Sequence, residues 1–447
     1  MNSILISNAV VVNEGELREG DVLVRDGRIE RIGADLSAVP ADTVLDAAGR
    51  HLLPGMIDDQ VHFREPGLTH KGDIRSESRA AVAGGITSLM EMPNTKPPAT
   101  TLEALEGKHA TGAEKSLANY SFYLGATNDN LDEIRGLDPD QCCGIKVFMG
   151  ASTGNMLVDD PATLRAIFRD APSLIATHCE DTPTIEANER IFRERYGDAV
   201  PFVCHPLIRS GEACYKSSSL AVELARDFGT RLHVLHLTTE RELSLFDTAP
   251  ISEKRITAEV CVHHLMFDDR DYNEKGALIK CNPAIKRPED RNALLDALIA
   301  GRLDVVGTDH APHTLEEKSN TYFKAPSGLP LVQHALPALL ELYHDGRMGL
   351  EDIVYRTSHA VAECFRIRER GYIREGYKAD LVLVDLNRPW DVTRDNVLYK
   401  CGWSPFEGRT FRSSVWSTLV SGRIVYREGR FADEAPGERL AFDRGAG

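Results

Sequence analysis

Short apolar runs alternate with helical patterns through the middle of the chain, residues 55–371. Stretches such as residues 161–170 and 289–301 repeat apolar side chains every three or four positions, which is typical of amphipathic helices. Eight apolar runs lie between such patterns, at residues 53–63, 85–94, 119–126, 144–150, 173–180, 231–238, 256–265 and 302–313. Eight strand-plus-helix units predict an α/β fold, a parallel (β/α)8 barrel of the TIM type. In that fold the chemistry lies at the C-terminal ends of the strands.

The two ends of the chain show a different pattern, in which short apolar runs are broken by Gly and Asp. This texture is typical of antiparallel strands and hairpins. Because it occurs at both ends and hardly at all between them, we predict that the termini together build a small β-sandwich domain. The predicted limits are residues 1–54 plus 372–447 for the β domain and residues 55–371 for the barrel.

Composition narrows the classes of function. The 447 residues include 52 Lys and Arg against 68 Asp and Glu, a formal net charge of −16. Nucleic acids and anionic membranes attract clustered cations, so neither is an expected partner. No apolar stretch reaches about 18 residues and the N-terminus lacks signal-peptide features, which favours a cytoplasmic protein. The nine Cys are scattered without a C-x-x-C motif, and we expect buried, reduced thiols.

Four of the apolar runs carry imidazole or carboxylate groups where the strands are expected to end. A buried imidazole needs hydrogen-bond partners or a metal to offset its desolvation. One such His is usually structural, but several at the strand ends of one barrel predict a metal site, and this donor set suits Zn²⁺. The candidate ligands are His62, His178, His236 and Asp309, the last followed by His310 and His313.

Lys146 lies within the apolar run 144–150, where an ammonium beside metal cations would be repelled. Reaction of the neutral amine with CO₂ would convert it to a carbamate, a carboxylate-like group able to bridge two metals. The alternative is an ordinary Lys that reaches the surface.

Six segments carry a resemblance to a known family: IDDQVHFREPG, GIKVFMG, ATHCED, LHVLHLTT, GTDHAPH and CGWSPFEG. In this order they resemble the amidohydrolase superfamily and, within it, the dihydroorotases of pyrimidine biosynthesis, over nearly the whole chain. The resemblance implies that His62 and Asp309 contact the more buried metal. It also implies that carbamylated Lys146 bridges to a second metal, held by His178 and His236.

The chain departs from this family at Gln60, where members have the first His of a His-x-His motif. Residues 60 and 62 share one face of a strand, so Gln60 would offer its amide oxygen. An amide is a weaker zinc ligand than an imidazole, which leaves the number of zinc ions at one or two.

Arg64 is the most informative of the expected substrate contacts, because a guanidinium can grip a carboxylate with two hydrogen bonds. The resemblance assigns the carboxylate of dihydroorotate or N-carbamoyl-aspartate to Arg64 and Asn94. Allantoinases and hydantoinases act on rings without that carboxylate and generally lack this Arg. The alternative for Arg64 is a surface ion pair with Glu65.

Three further substrate contacts are implied by the resemblance: Asn282, His313 and Gly328, of which Gly328 would offer backbone groups. The polar loop 314–327 lies where it could act as a lid or as a fixed wall. The pair His263 and His264 is placed on the seventh run, where strand alternation puts only one of the two side chains inside the barrel. Neither is expected to bind the metal.

Three functions are compatible with these observations. The first is a zinc-dependent dihydroorotase that interconverts N-carbamoyl-L-aspartate and L-dihydroorotate, with Asp309 as general base and acid. The second is an allantoinase or hydantoinase acting on uncharged cyclic ureides. The third, suggested by Gln60, is a non-catalytic subunit that supports aspartate transcarbamoylase. The resemblance also implies a homodimer.

Overall fold

The computed structural model describes residues 3–150 and 156–444. Five strands precede the barrel: β1 (Ser3–Asn13), β2 (Glu16–Arg25), β3 (Arg28–Gly33), β4 (Thr43–Asp46) and β5 (His51–Pro54). Nine parallel strands follow: β6 (Met56–Val61), β7 (Ile86–Glu91), β8 (Asn119–Phe122), β9 (Leu124–Gly125), β10 (Ile145–Phe148), β11 (Ile175–His178), β12 (Leu232–Val234), β13 (Ile256–Cys261) and β14 (Val305–Gly307). Six strands lie near the C-terminus: β15 (Leu381–Asp385), β16 (Trp390–Asp391), β17 (Thr410–Phe411), β18 (Ser414–Val420), β19 (Arg423–Arg427) and β20 (Arg430–Phe431).

The nine parallel strands close into a barrel. They pair in the orders β6-β7-β8 and β9-β10-β11-β12-β13-β14, and β8 is separated from β9 by Tyr123 alone. The ring closes through a parallel bridge between Val61 and His310, where the His62 amide donates to the His310 carbonyl at 2.7 Å. Each predicted apolar run contains one of these strands, with β8 and β9 sharing the third. The predicted fold class, a (β/α)8 barrel with a β domain, is confirmed.

Helices cover the outside of the barrel and follow its strands along the chain. They are α1 (Ile74–Ala83), α2 (Leu102–Lys115), α3 (Leu131–Arg135), α4 (Pro161–Asp170), α5 (Thr182–Tyr196), α6 (His205–Ile208), α7 (Gly211–Phe228), α8 (Val262–Met266), α9 (Tyr272–Lys275), α10 (Pro288–Ile299), α11 (Leu315–Lys318), α12 (Ala335–His344), α13 (Leu350–Val354) and α14 (Ala360–Phe365). Local sequence sets several starts: the side chains of Asp73, Asp160, Asp181 and Ser210 cap α1, α4, α5 and α7. These helices bury the outer face of the barrel, and side chains from the strands themselves fill its interior, so both faces of the strands are buried.

Strands from both ends of the chain form one sheet of nine strands. Its order is β20-β19-β18-β15-β5-β1-β2-β3, with β4 paired to β1. The antiparallel pairing of β15 with β5 joins the C-terminal strands to the N-terminal ones. The strands thus belong to one hydrogen-bonded sheet rather than to two separate ones, and β16 and β17 form a ribbon apart from it. The limits at residues 54 and 372 stay predictions; they fall between β5 and β6 and between α14 and β15.

All nine cysteines are free thiols, and eight of them are buried. Within the described residues, no helix is long and apolar enough to cross a membrane.

Candidate active site

One cavity of about 220 Å³ lies at the C-terminal ends of the barrel strands. It is lined by all eleven residues that the sequence analysis selected: Gln60, His62, Arg64, Asn94, Lys146, His178, His236, Asn282, Asp309, His313 and Gly328. Four further lining residues were not selected: Phe148, Ala311, Pro326 and Ser327. The cavity is smaller than the 300–1,000 Å³ usual for drug-sized ligands, so it suits a small molecule.

Three cavity residues have backbone conformations that side chains rarely adopt. The φ angles are +72° at Arg64, +40° at His236 and +49° at Asp309. Such conformations persist only where the surrounding structure holds them, and they cluster at functional sites. At His236 the support is visible, because its backbone N–H donates to Glu259 Oε1 at 3.0 Å.

His178 and His236 present nitrogens to each other across the cavity. His178 Nε2 donates to Glu180 Oε2 at 2.9 Å, and Glu180 is also paired with Arg209. The lone pair of His178 Nδ1 therefore faces His236 Nε2 at 3.1 Å, while the buried His236 Nδ1 has no hydrogen-bond partner in the described chain. Two ring nitrogens this close are arranged as neighbouring ligands of one metal ion would be, and Glu180 fixes the orientation of the His178 ring through its other nitrogen.

His62 and Asp309 form a second group of donor atoms. His62 Nδ1 donates to Asn94 Oδ1 at 2.7 Å, which leaves His62 Nε2 facing Asp309 Oδ1 at 3.1 Å. In a neutral imidazole this Nε2 carries a lone pair, which repels a carboxylate oxygen unless a cation lies between them. The Asn94 oxygen is thus already bonded, and only its amide N–H groups are free to donate to a ligand.

The charge states of these groups suit a metal. Burial lowers the pKa values of His62, His178 and His236, so all three imidazoles are neutral at pH 7 and able to coordinate. Burial alone would raise the pKa of Asp309, but the groups beside it, His62 first and then His263 and Lys146, lower it below its ordinary value, so Asp309 is an anion. Three neutral imidazoles and one carboxylate around one cavity fit a divalent cation such as zinc.

Gln60 does not present its oxygen to this group. Its Nε2 donates to Asp309 Oδ1 at 3.1 Å, while its Oε1 lies 3.9 Å from Cys261 Sγ. The carboxylate of Asp309 favours this orientation because it accepts hydrogen bonds and repels a carbonyl oxygen. The expectation of a metal-binding Gln60 oxygen is therefore not met in this arrangement.

Lys146 is 1% exposed, and its ammonium lies 4.7 Å from the centre of the Phe148 ring. Burial lowers the pKa of Lys146 to about 8, although the carboxylates of Asp309 and Glu259 oppose the shift. The alternative of a Lys that reaches the surface is therefore wrong. A substantial fraction of this amine is neutral near pH 8, the form that reacts with CO₂.

Arg64 is a buried cation without a carboxylate partner. The alternative pairing with Glu65 is wrong, because Glu65 pairs with Lys115 instead. Within residues 3–150 and 156–444, Arg64 forms no ion pair; its Nε donates to the Pro312 carbonyl at 3.2 Å, and its Nη2 lies 3.1 Å from His313 Nε2. Burial lowers the pKa of Arg64 only to about 10, so the guanidinium stays charged. A buried, charged and unpaired guanidinium in a cavity indicates an anionic ligand.

His313 remains neutral beside this cation. Burial lowers the pKa of His313 well below its ordinary value, and the charges of Arg64 and Lys71 add to the effect. Lys71 Nζ lies 3.0 Å from His313 Nδ1. Asn282 also lines the cavity, and its buried Oδ1 has no partner in the described chain.

Two buried lysines fix the loop 314–327 through hydrogen bonds to backbone carbonyls. Lys280 Nζ donates to the carbonyls of Tyr322 and Ala325 at 2.7 Å each. Lys318 Nζ donates to the carbonyls of Pro326 and Gly328 at 2.9 Å each. These hydrogen bonds favour a loop that forms a fixed wall of the cavity over a loop that moves as a lid.

Gly328 stands where this wall approaches the barrel most closely. Its φ is +140°, and a Cβ there would lie 2.4 Å from the Ala311 carbonyl oxygen, so only glycine fits. Its N–H already donates to the Lys280 carbonyl at 2.8 Å and its own carbonyl accepts from Lys318. The N–H is thus not free for a ligand.

The placement of His263 and His264 on the seventh strand is wrong. Strand β13 ends at Cys261, and both His residues lie on the short helix α8, where strand alternation does not apply. Both side chains are buried, and neither lines the cavity.

Sequence reasoning did not select the residues that orient the candidate ligands. Glu180 holds the ring of His178, and Glu259 holds the backbone of His236. Glu180 could have been found, because it lies two residues after His178 in the segment ATHCED. Glu259 lies on a different strand from His236, so sequence spacing carried no signal for it.

Comparison with known proteins agrees with this geometry. The model of the Amidohydrolase family matches residues 51–425. A dihydroorotase of Methanothermobacter thermautotrophicus is 32% identical over 411 residues, 91% of this chain and 90% of that protein. A dihydroorotase of Halobacterium salinarum is 34% identical over 421 residues, 91% of this chain and 95% of that protein.

Among solved structures, an L-hydantoinase (dihydropyrimidinase) from Arthrobacter aurescens has a TM-score of 0.93 at 28% identity and covers 99% of this chain and 100% of its own. A dihydropyrimidinase from Brevibacillus agri has a TM-score of 0.88 at 26% identity and covers 98% of each chain. The matched segment includes every strand of the barrel and every residue of the cavity. This chain therefore belongs to the amidohydrolase family.

Proposed function

We propose that this protein is a dihydroorotase, which interconverts N-carbamoyl-L-aspartate and L-dihydroorotate. The observation that carries the proposal is Arg64, a buried guanidinium without an ion-pair partner in the described chain, in the same cavity as three neutral imidazoles and a carboxylate. Both substrates carry a carboxylate next to the reacting ring or chain. The relatives named above that match by sequence are dihydroorotases, which supports the same substrate class.

The cofactor that we propose is zinc, one or two ions per chain. His178 and His236 would hold one ion, His62 and Asp309 would hold the other, and a carbamate on Lys146 would bridge them. Gln60 would contribute to the second ion only after its amide turned away from Asp309. Bound zinc supplies a Lewis acid and a water of lowered pKa.

The side chains of the cavity bind the substrate and transfer the proton. Arg64 and the amide N–H groups of Asn94 bind the substrate carboxylate, which orients the reacting carbonyl and lowers the entropic cost of the reaction. In ring opening, the anionic Asp309 takes a proton from the attacking water and then gives it to the departing ring nitrogen. Ring closure follows the same steps in reverse. Asn282 and the neutral His313 would contact the ring and the carboxylate.

Carbamylation of Lys146 would proceed through its neutral amine. The nitrogen lone pair attacks the carbon of CO₂, a C–N bond forms as one C=O π pair moves onto oxygen, and the nitrogen loses one proton to water. The product carries one negative charge in place of the positive charge of the ammonium. This exchange would suit the buried setting of Lys146, because an anion between two cations is stabilised where an ammonium is repelled.

A hydantoinase or allantoinase is the second candidate, and the observation that favours it is the TM-score of 0.93 to an L-hydantoinase. Rings of that class offer no carboxylate to Arg64, which would then stay a buried, uncompensated cation. The non-catalytic subunit is a third candidate, and tightly bound zinc with turnover would exclude it. A homodimer and association with aspartate transcarbamoylase stay predictions from the family resemblance, and a cytoplasmic location stays a prediction from the sequence pattern.

The experiment is ring opening of L-dihydroorotate by the purified protein, followed by ultraviolet absorbance. It is run on untreated protein, after chelation, and after zinc is added back, with hydantoin, allantoin and dihydrouracil as parallel substrates. Zinc-dependent turnover of dihydroorotate in preference to the uncharged rings supports the proposal. Preference for an uncharged ring would replace it with the hydantoinase class, and no turnover of any ring would favour the non-catalytic subunit.

A further inference from the structure

We infer that the chain holds a second metal site, a structural zinc site formed by Cys261, His263 and His264. These residues lie at the end of β13 and on α8, directly beside the active-site cavity but outside its lining. The inference does not rest on the proposed function, because none of these three side chains belongs to the candidate catalytic group.

Three of the four imidazole nitrogens lack partners in the described chain, whereas the Cys261 thiol donates to Glu259 Oε1 at 3.1 Å and His264 Nε2 lies 3.3 Å from the Pro283 carbonyl oxygen. His263 is fully buried, and neither of its ring nitrogens has a hydrogen-bond partner in the described chain. His264 is 2% exposed and its Nδ1 is likewise unpartnered. A neutral imidazole carries one N–H and one lone pair, and leaving both unpaired in the interior is unfavourable. A metal ion between the two rings would satisfy a nitrogen of each.

One ligand atom from each of the three side chains can be chosen so that all lie within 4.8 Å of one another. In a tetrahedral site with Zn–S of about 2.3 Å and Zn–N of about 2.0–2.1 Å, the ligand atoms are roughly 3.3–3.7 Å apart. Each pair of donors therefore needs to approach by at most about 1.5 Å.

One thiolate and two imidazoles form a ligand set that suits zinc, and the order Cys-x-His-His keeps all three within four consecutive residues.

Gln60 offers a fourth donor. Its Oε1 lies 3.9 Å from Cys261 Sγ, on the opposite side of the amide from the N–H that donates to Asp309. In this orientation Gln60 would complete the structural site with its oxygen while its nitrogen binds Asp309, and the same amide would then contribute nothing to a catalytic ion. A closed set of four protein ligands is the arrangement of structural zinc sites, as opposed to catalytic ones.

The test uses the thiolate as a marker, because the proposed catalytic ligands include no sulfur. X-ray absorption at the zinc edge of the purified, zinc-loaded protein should show a sulfur neighbour at about 2.3 Å. After metal removal, titration with Co²⁺ should produce a thiolate-to-cobalt charge-transfer band, and elemental analysis should count one more metal per chain than in Cys261→Ser or His263→Asn.

Cys214→Ser is the matched control, because Cys214 is a buried thiol on α7 outside the group. It should keep the band and the metal content of the wild type. Zinc without a sulfur neighbour in the wild-type spectrum would overturn the inference, and that measurement needs no variant to fold. A charge-transfer band that survives in a folded Cys261→Ser protein would overturn it as well.

Discussion

Replacing Arg64 with Met separates the role of Arg64 in binding from any role in folding. Arg64 is 7% exposed and makes one hydrogen bond to a backbone carbonyl, but no ion pair in the described chain. Met fills a similar volume without a charge, so the variant removes an uncompensated buried cation. We expect the free energy of unfolding to stay the same or to increase, because the charge is costly to bury in the free protein.

The expected loss of activity is large. Removing one partner of a buried, hydrogen-bonded charge pair costs about 2–5 kcal/mol. At 1.36 kcal/mol for each factor of ten, this range corresponds to a fall in kcat/KM for dihydroorotate of roughly 30- to 5,000-fold. Dihydrouracil has the same ring without the carboxylate, so its turnover should be far less affected by Arg64→Met.

The assay compares kcat/KM for the two rings in wild type, Arg64→Met and Arg165→Met. Arg165 lies on α4 with a side chain that is 56% exposed, so its replacement should change neither ring's turnover. Thermal unfolding of each protein serves as the folding control. If Arg64→Met lowered kcat/KM less than threefold for dihydroorotate, or equally for both rings, the assignment of the carboxylate to Arg64 would be refuted.

Three further predictions concern the reactivity of Lys146, the close packing at Gly328 and the hydrogen bond from His178 to Glu180. Because burial sets the pKa of Lys146 at about 8, the fraction of Lys146 in the neutral amine form should decrease about tenfold for each pH unit below that value. The rate at which bicarbonate and zinc reactivate the metal-free protein, measured by turnover, should therefore fall between pH 7 and pH 6. Gly328→Ala should lower both the unfolding temperature and kcat/KM, because its Cβ would clash with the Ala311 carbonyl. The control is Gly107→Ala in α2, where an added Cβ has no described atom within 4 Å and the change should be neutral or stabilising. Glu180→Gln should weaken zinc binding by about 10- to 100-fold in chelator competition, and an unchanged affinity would contradict its orienting role.

Much of the barrel could be predicted because its strands are buried on both faces. Most strands therefore lie in largely apolar runs, and several candidate ligands lie at or just after the end of a strand. His178 ends β11, while His236 and Asp309 follow β12 and β14 by two residues. Once parallel strands close into a ring, their C-terminal ends must meet. The order of elements thus predicted a shared cavity without any knowledge of contacts.

The error at His263 and His264 shows the limit of the same reasoning. Apolar residues recur throughout the run 256–265, and a buried strand followed by a buried helix cannot be told from a longer strand by periodicity alone. The nine-stranded sheet shows a similar limit: the sequence indicated strands at both ends of the chain, but it did not indicate which strands pair with each other.

The sequence by itself determined which residue types reach the cavity, because strand order and apolar patterning are local properties of the chain. Only the tertiary structure decided which partner each side chain meets. The bond between Gln60 and Asp309 spans 249 positions, and the contact between Arg64 and His313 also spans 249. The left-handed backbone at Arg64, His236 and Asp309 likewise depends on neighbours from other strands. Such contacts form when the ring closes, and no local pattern encodes them, since each residue's partner is set by the position of another strand.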